Sequence, residues 1–269
     1  EYLLALLDPT PQRLVVNFHA AFNLMLAASL IGFTEPIARF ATRMMPDDPA
    51  KDTKIRPKHL DPAALDSPAL ATSNAAREAL RIGDIIETML AGVMTVIKEN
   101  DKKLADEIRR MDDDVDELYT AVKMSLTQIS REELDPKEGR RWAEIIALTI
   151  NLEHVGDIVE HIVEDVKSKK IAHNLSFSDA GMQEIEELHG RLMASLRLGL
   201  NVFLNGDLKS AQRLLAQKVE FRELERAYAD THLNRLAWQT AQSIETSSLH
   251  LDIINDFKRI NSHIAAIAY

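Results

Sequence analysis

The sequence predicts an all-α protein, with one transmembrane helix followed by two tandem antiparallel three-helix bundles. Three observations predict it. Residues 14–34, LVVNFHAAFNLMLAASLIGFT, carry no formally charged side chain over 34 − 14 + 1 = 21 positions. From Ser73 onward apolar residues recur at helical spacing, broken only by short clusters of turn formers. The helices after that point repeat as two sets of three.

Thr10 and Pro11 open the apolar segment as N-cap and first helical residue. A hydrocarbon core of about 30 Å takes roughly 20 helical residues, so 14–34 has the length of a span. Arg39, Arg43, Lys51, Lys54, Arg56 and Lys58 follow it, whereas only Arg13 lies close before it. The bias of basic residues toward the inner side puts the C-terminal side in the cytoplasm. Asn17, His19 and Asn23 fall roughly on one side of the segment, as polar residues do when they face other helices inside a membrane bundle. The same three residues lend weight to the alternative, a buried helix of a soluble protein. On the membrane reading, residues 1–45 form the transmembrane segment.

Residues 46–73 hold five of the nine prolines, at 46, 49, 57, 62 and 68, and form an extended linker because proline lacks a backbone donor and interrupts helix. Helices are then expected at 74–99, 101–132, 137–169, 179–204, 207–238 and 243–269. The breaks between them fall at Asn100-Asp101, Asp135-Pro136, residues 173–179, Asn205-Gly206-Asp207 and near Gln239. NDKKLADEI at 100–108 matches GDLKSAQRL at 206–214, DDDVDELYTAV at 112–122 matches KVEFRELERAY at 218–228, and TINLEHVGDIVEHI at 149–162 matches INDFKRINSHIAAI at 254–267. Few letters agree, but the apolar phase does, which supports a duplicated unit with repeats at 74–172 and 173–269. Glu1 is not a Met, and the chain closes inside the apolar run IAAIAY, so a longer protein is expected with the second repeat cut short. The apolar run is too long for a secretory leader and has no small-residue cleavage site after it.

Composition narrows the function. The net charge is −10, of which residues 1–73 carry −1 (eight acids against seven Lys and Arg) and the rest −9. An acidic body argues against nucleic acid, whose phosphates need a basic face. A mean hydropathy of −0.16 excludes a polytopic membrane protein over this length. With no cysteine there is neither a disulfide framework nor a thiolate metal site. No nucleophile–base pair, P-loop or dinucleotide fingerprint occurs, so no enzymatic activity is expected.

The chemistry lies in carboxylates. Glu153, Asp157, Glu160 and Glu164 sit at i, i+4, i+7 and i+11, one stripe of a helix, and Asp112 with Asp116 forms an i, i+4 pair on the preceding helix. Both pairs lie about 20 residues from the intervening turn, which at 1.5 Å per residue sets them level in an antiparallel hairpin. Asp112, Asp116, Glu153 and Asp157 therefore make an oxygen-rich site for a divalent or transition cation, or a solvated acidic face. The matching positions in the second repeat are Lys218, Arg222, Lys258 and Ser262. Three cations cannot ligate a metal and instead favour an anion or an acidic partner.

FHAAFNLMLAASLIGFTEPIARF resembles the closing membrane helix of bacterial sodium–phosphate cotransporters, and HLDPAALDSPALATSNAAREALRIGDIIETML resembles their linker and first soluble helix. DDDVDELY and LEHVGDIVEHI resemble the acid-bearing helices of the PhoU-like domain, a phosphate-uptake regulator fold of two three-helix bundles. The resemblance covers essentially the whole chain. It implies the C-terminal part of a sodium-coupled inorganic phosphate transporter in the bacterial inner membrane, with a cytoplasmic regulatory body. Sodium and phosphate would bind upstream membrane repeats outside this chain. The partner would be a second copy or a regulatory protein. The resemblance also implies metal clusters at E/D-x-x-x-D motifs, carried here to Glu153/Asp157 and Asp112/Asp116. The alternative is a membrane-anchored helical phosphate-signalling or scaffold module with no transport of its own.

Overall fold

A computed structural model describes residues 17–27, 29–31, 34, 55–129, 134–237 and 245–269. The chain divides into two compact units, Glu1–Lys54 and Ile55–Tyr269.

In the first unit the described residues are helical at 17–27 and 29–31. The expected transmembrane helix over 14–34 is corrected here: among the described residues, no helix is long and apolar enough to cross a membrane. Asn17, His19 and Asn23 interrupt the apolar character within residues 17–27. Absence of charge over a given length is necessary for a span but does not suffice for one. The Thr10-Pro11 start, the basic residues at 39–54 and the first part of the proline-rich linker lie outside the described residues.

Among the described residues the second unit is helical, with six long helices: α1 (Pro68–Glu99), α2 (Lys102–Gln128), α3 (Pro136–Asp165), α4 (Asp179–Asn205), α5 (Leu208–Ala237) and α6 (Ser247–Ala265). Their breaks follow local capping chemistry. Asp101 accepts from the N–H groups of Lys103 and Leu104 at 2.9 and 3.0 Å, satisfying donors at the start of α2 that have no intrahelical partner. Asp135 and Glu138 form a reciprocal capping box ahead of α3, with Pro136 at its first position. Gly206, in the left-handed region at φ 62°, ends α4, and Asp207 caps the start of α5. α1 begins at Pro68, ahead of the expected start at Asn74, because a proline placed in the first turn starts a helix rather than preventing one. α3 does not stop at Asp165 but widens into a π-helical turn, Val166–Ile171, where the buried Lys170 donates to Asn100 Oδ1 at the end of α1.

α1, α2 and α3 pack on one another, as do α4, α5 and α6, and the two bundles join through α3 against α6 and α1 against α4. Ala75, Ala79, Ile82, Ile86, Met89, Leu90, Val93, Val96 and Ile97 run at helical spacing along the buried side of α1. At the bundle junction a Cβ on Gly83 would stand 2.7 Å from Leu200 of α4, so the missing side chain is what lets these helices approach. Before α1, residues 55–61 are held by Glu78. This side chain is 0 % exposed, and its carboxylate accepts from the N–H groups of Lys58 and His59 at 2.9 and 2.8 Å and from Arg81 at 2.7 Å.

Candidate functional site

The hairpin of α2 and α3 sets the two acidic groups level with each other. Asp112 Oδ1 stands 2.6 Å from the place a β-carbon on Gly156 would occupy, so Asp112 lies level with the middle of the Glu153/Asp157 pair. The charge of Asp157 raises Asp116 across the hairpin, and both of them raise Glu153. Glu160 joins the same field through Asp113, Asp157 and Asp116. Glu164, the last member of the stripe, is exposed and turns instead toward Lys167.

Asp112 is the most unusual member. It is 6 % exposed, and its Oδ1 has no hydrogen-bond partner. Burial, reinforced by the charges of Glu160, Asp116, Asp157 and Asp113, pushes its carboxyl up to about 7. Burial also raises Asp116, Glu153 and Glu160, each with repulsion from neighbouring carboxylates added. For Glu160, Arg109 offsets part of the rise, and for Glu153, His154 and Lys123 do so. Like charges gathered beyond what the nearby bases offset are costly until a cation or protons neutralise them.

Among the described residues, the tightest set of ligand atoms is Glu153, His154 and Asp157, all within 4.8 Å of one another. His154 Nδ1 lies 2.9 Å from Glu153 Oε2, and its ring faces His263 of α6 at 5.1 Å between centroids. His263 Nδ1 in turn meets Asn151 Oδ1 at 3.0 Å. The sequence pattern misses His154 as a ligand candidate because it sits one residue off the acidic stripe. Only the packing of α6 brings its contact into view. His161, the other nearby histidine, sits toward Asp165 instead, at 3.9 Å.

Asn17, His19 and Asn23 lie on the helical residues 17–27 of the first unit. Asn17 is half-buried and the other two are exposed. The intramembrane placement expected of them has no spanning helix to rest on among the described residues.

The set within ligand distance, two carboxylates and one imidazole, comes from α3 alone, and Asp112 and Asp116 of α2 lie outside it, although Asp112 Oδ1 is a buried acceptor without a hydrogen-bond partner. Oxygen donors with one imidazole could hold a hard or borderline cation.

The fold repeats a known pattern. The PhoU domain family matches residues 79–166 and again 185–269. This chain belongs to the PhoU domain family. It is 44 % identical over 257 residues, 96 % of its length, to proteins of Escherichia coli K12 and Salmonella typhimurium LT2, each described as a "putative inorganic phosphate export protein YjbB". The chain spans about half the length of these relatives, 47 % in each case. Crystal structures of PhoU from Pseudomonas aeruginosa and of the phosphate transport system regulatory protein PhoU from Streptococcus pneumoniae share the fold. Their TM-scores are 0.68 and 0.67 at 16 % and 17 % identity, over 74 % and 75 % of this chain and 93 % of each of theirs. The all-α paired bundles are thus a PhoU-type body.

Proposed function

We propose that this chain is the regulatory region of an inorganic phosphate transport protein acting at the bacterial inner membrane, and that its first repeat binds a divalent or transition cation. The observation that carries the transport reading is the match over 96 % of the chain to relatives described as phosphate exporters, whose remaining half lies outside it. The family's regulatory fold supports a modulating rather than a translocating role for residues 55–269. Asp112, Asp116, Glu153 and Asp157, with His154 and Glu160 beside them, would hold the cation. When bound, it would neutralise the acidic cluster and tie α2 to α3. Sodium coupling rests on the sequence resemblance alone and is tested by replacing external sodium with choline.

The transport reading is tested in a relative of full length. Deleting the stretch matching 74–269 should leave phosphate efflux from preloaded cells active but no longer responsive to internal phosphate. Efflux that still tracks internal phosphate after the deletion sinks the regulatory reading. The cation is tested by metal content and titration of the purified chain. Asp116→Asn with Glu153→Gln should abolish stoichiometric binding, and unchanged metal content would falsify the site.

A further inference from the structure

The second repeat holds a cavity of about 350 Å³ at the level where the first repeat holds its acids. Lys218 and Arg222 of α5 and Lys258, Arg259, Asn261 and Ser262 of α6 line it. At the positions matching Asp112, Asp116 and Glu153 the second repeat carries Lys218, Arg222 and Lys258.

Two of the four cations are already answered. Lys258 Nζ lies 3.0 Å from Glu225, and Arg259 lies 2.7 Å from Asp256. Lys218 and Arg222 have no carboxylate partner among the described residues, and Lys218 rests 5.5 Å from the centre of the Tyr269 ring. The wall therefore keeps an excess of two positive charges in a chain whose net charge is −10. Asn261 is 2 % exposed, and its Oδ1 has no hydrogen donor opposite it. A buried acceptor of this kind is costly unless a ligand brings a donor.

We infer that this cavity binds a protonated tetrahedral oxyanion, of the class of inorganic phosphate or a phosphomonoester. Hydrogen phosphate carries a charge between −1 and −2 near neutral pH. Its oxygens accept from Lys218 and Arg222, and its O–H donates to Asn261. Sulfate has the same shape and comparable charge but no O–H, so Asn261 stays unpaired against it. Arginine suits such a ligand because its planar fork meets two oxygens at once. The assignment stands on the second repeat alone and does not depend on the regulatory reading or on the cation of the first repeat.

The test uses the whole chain, treated with chelator so that no metal in the first repeat can capture phosphate. Equilibrium dialysis with radiolabelled inorganic phosphate should show one saturable site. Lys218→Ala with Arg222→Ala, both at positions reached by solvent, should weaken it at least about tenfold, as expected for losing charge-assisted bonds. The circular dichroism of that variant should match the parent. Sulfate at equal concentration should displace little of the bound phosphate. Adenosine monophosphate that displaces it places the ligand on an ester, and failure to displace leaves free phosphate; both outcomes support the oxyanion cavity. Absence of saturable binding at millimolar phosphate, binding unchanged in the double variant, or displacement by sulfate as strong as by unlabelled phosphate overturns it.

Discussion

Asp112 Oδ1 and Gly156 are fitted to each other: the carboxylate oxygen lies 2.6 Å from where a β-carbon would stand, with Ile86 also close at 3.2 Å. A glycine in the middle of a helix is otherwise a cost of about 1 kcal/mol against alanine. Here the missing atom is the space that the acid uses. Gly156→Ala should therefore push Asp112 out of register and lose most of the cation affinity of the chain. Overpacking should outweigh the helix-propensity gain, for a net loss of roughly 1–2 kcal/mol in stability. Metal titration with urea denaturation checks both, and a variant that is more stable and binds cation as before contradicts the fit.

The elevated Asp112 carboxyl, at about 7, gives a pH signature in the chelator-treated protein. Its unfolded value is about 3.9, so between pH 4 and 7 the folded state holds a proton that the unfolded state has released. Stability should therefore be greatest on the acid side of that window and fall as pH rises through it. The limit is about 4 kcal/mol, reduced because the neighbouring acids titrate with it. Asp112→Asn should flatten the profile and stabilise the metal-free protein at pH 8. Melting temperatures at pH 5, 6, 7 and 8 read this directly, and a profile that rises toward pH 8 refutes it.

Glu78 accepts from two backbone N–H groups while fully enclosed. Glu78→Ala leaves those donors and Arg81 without their acceptor, at a cost of roughly 2–4 kcal/mol. Hydrogen exchange should show protection lost at Lys58 and His59 well before α2 is affected. Glu78→Gln, which still accepts, should fall between the two.

Gly206 ends α4 at φ 62°, with open space around its missing side chain. Gly206→Ala should thus act through backbone strain alone, costing about 1–2 kcal/mol. That lowers the melting temperature by roughly 2–8 °C for a domain of this size. Gly206→Asn should recover much of the loss, because asparagine tolerates the left-handed region, as Asn100 does at φ 57° at the end of α1.

The helix breaks were legible because their causes are local: Asp101, Asp135 and Asp207 each cap the helix that follows within three residues. The levelling of Asp112 with Glu153 and Asp157 was legible too, since it needs only a fixed rise per residue and one turn. His154 was not, because it sits one residue off the acidic stripe and its contact with His263 of α6 is not recorded in the spacing of α3. Glu78 reads in the sequence as one more acid on a helix, and only the path of residues 55–61 shows it to be buried. The segment at 14–34 shows the opposite failure. Missing charge and adequate length are one-dimensional properties, and among the described residues no helix is long and apolar enough to cross a membrane.

The clasp on Glu78 makes the entry to the bundles a rivet rather than a hinge. Residues 58 and 59 are bonded to the body of α1, and Arg81 adds a second fastening through the Arg56 carbonyl at 2.9 Å. A swivel here would have absorbed any rearrangement of the first bundle. A rivet passes it on: when α1 rolls or shifts, the chain at residue 56 must travel with it. Whatever loads the α2–α3 hairpin, against which α1 packs, thereby acquires mechanical purchase on the polypeptide that leads into it.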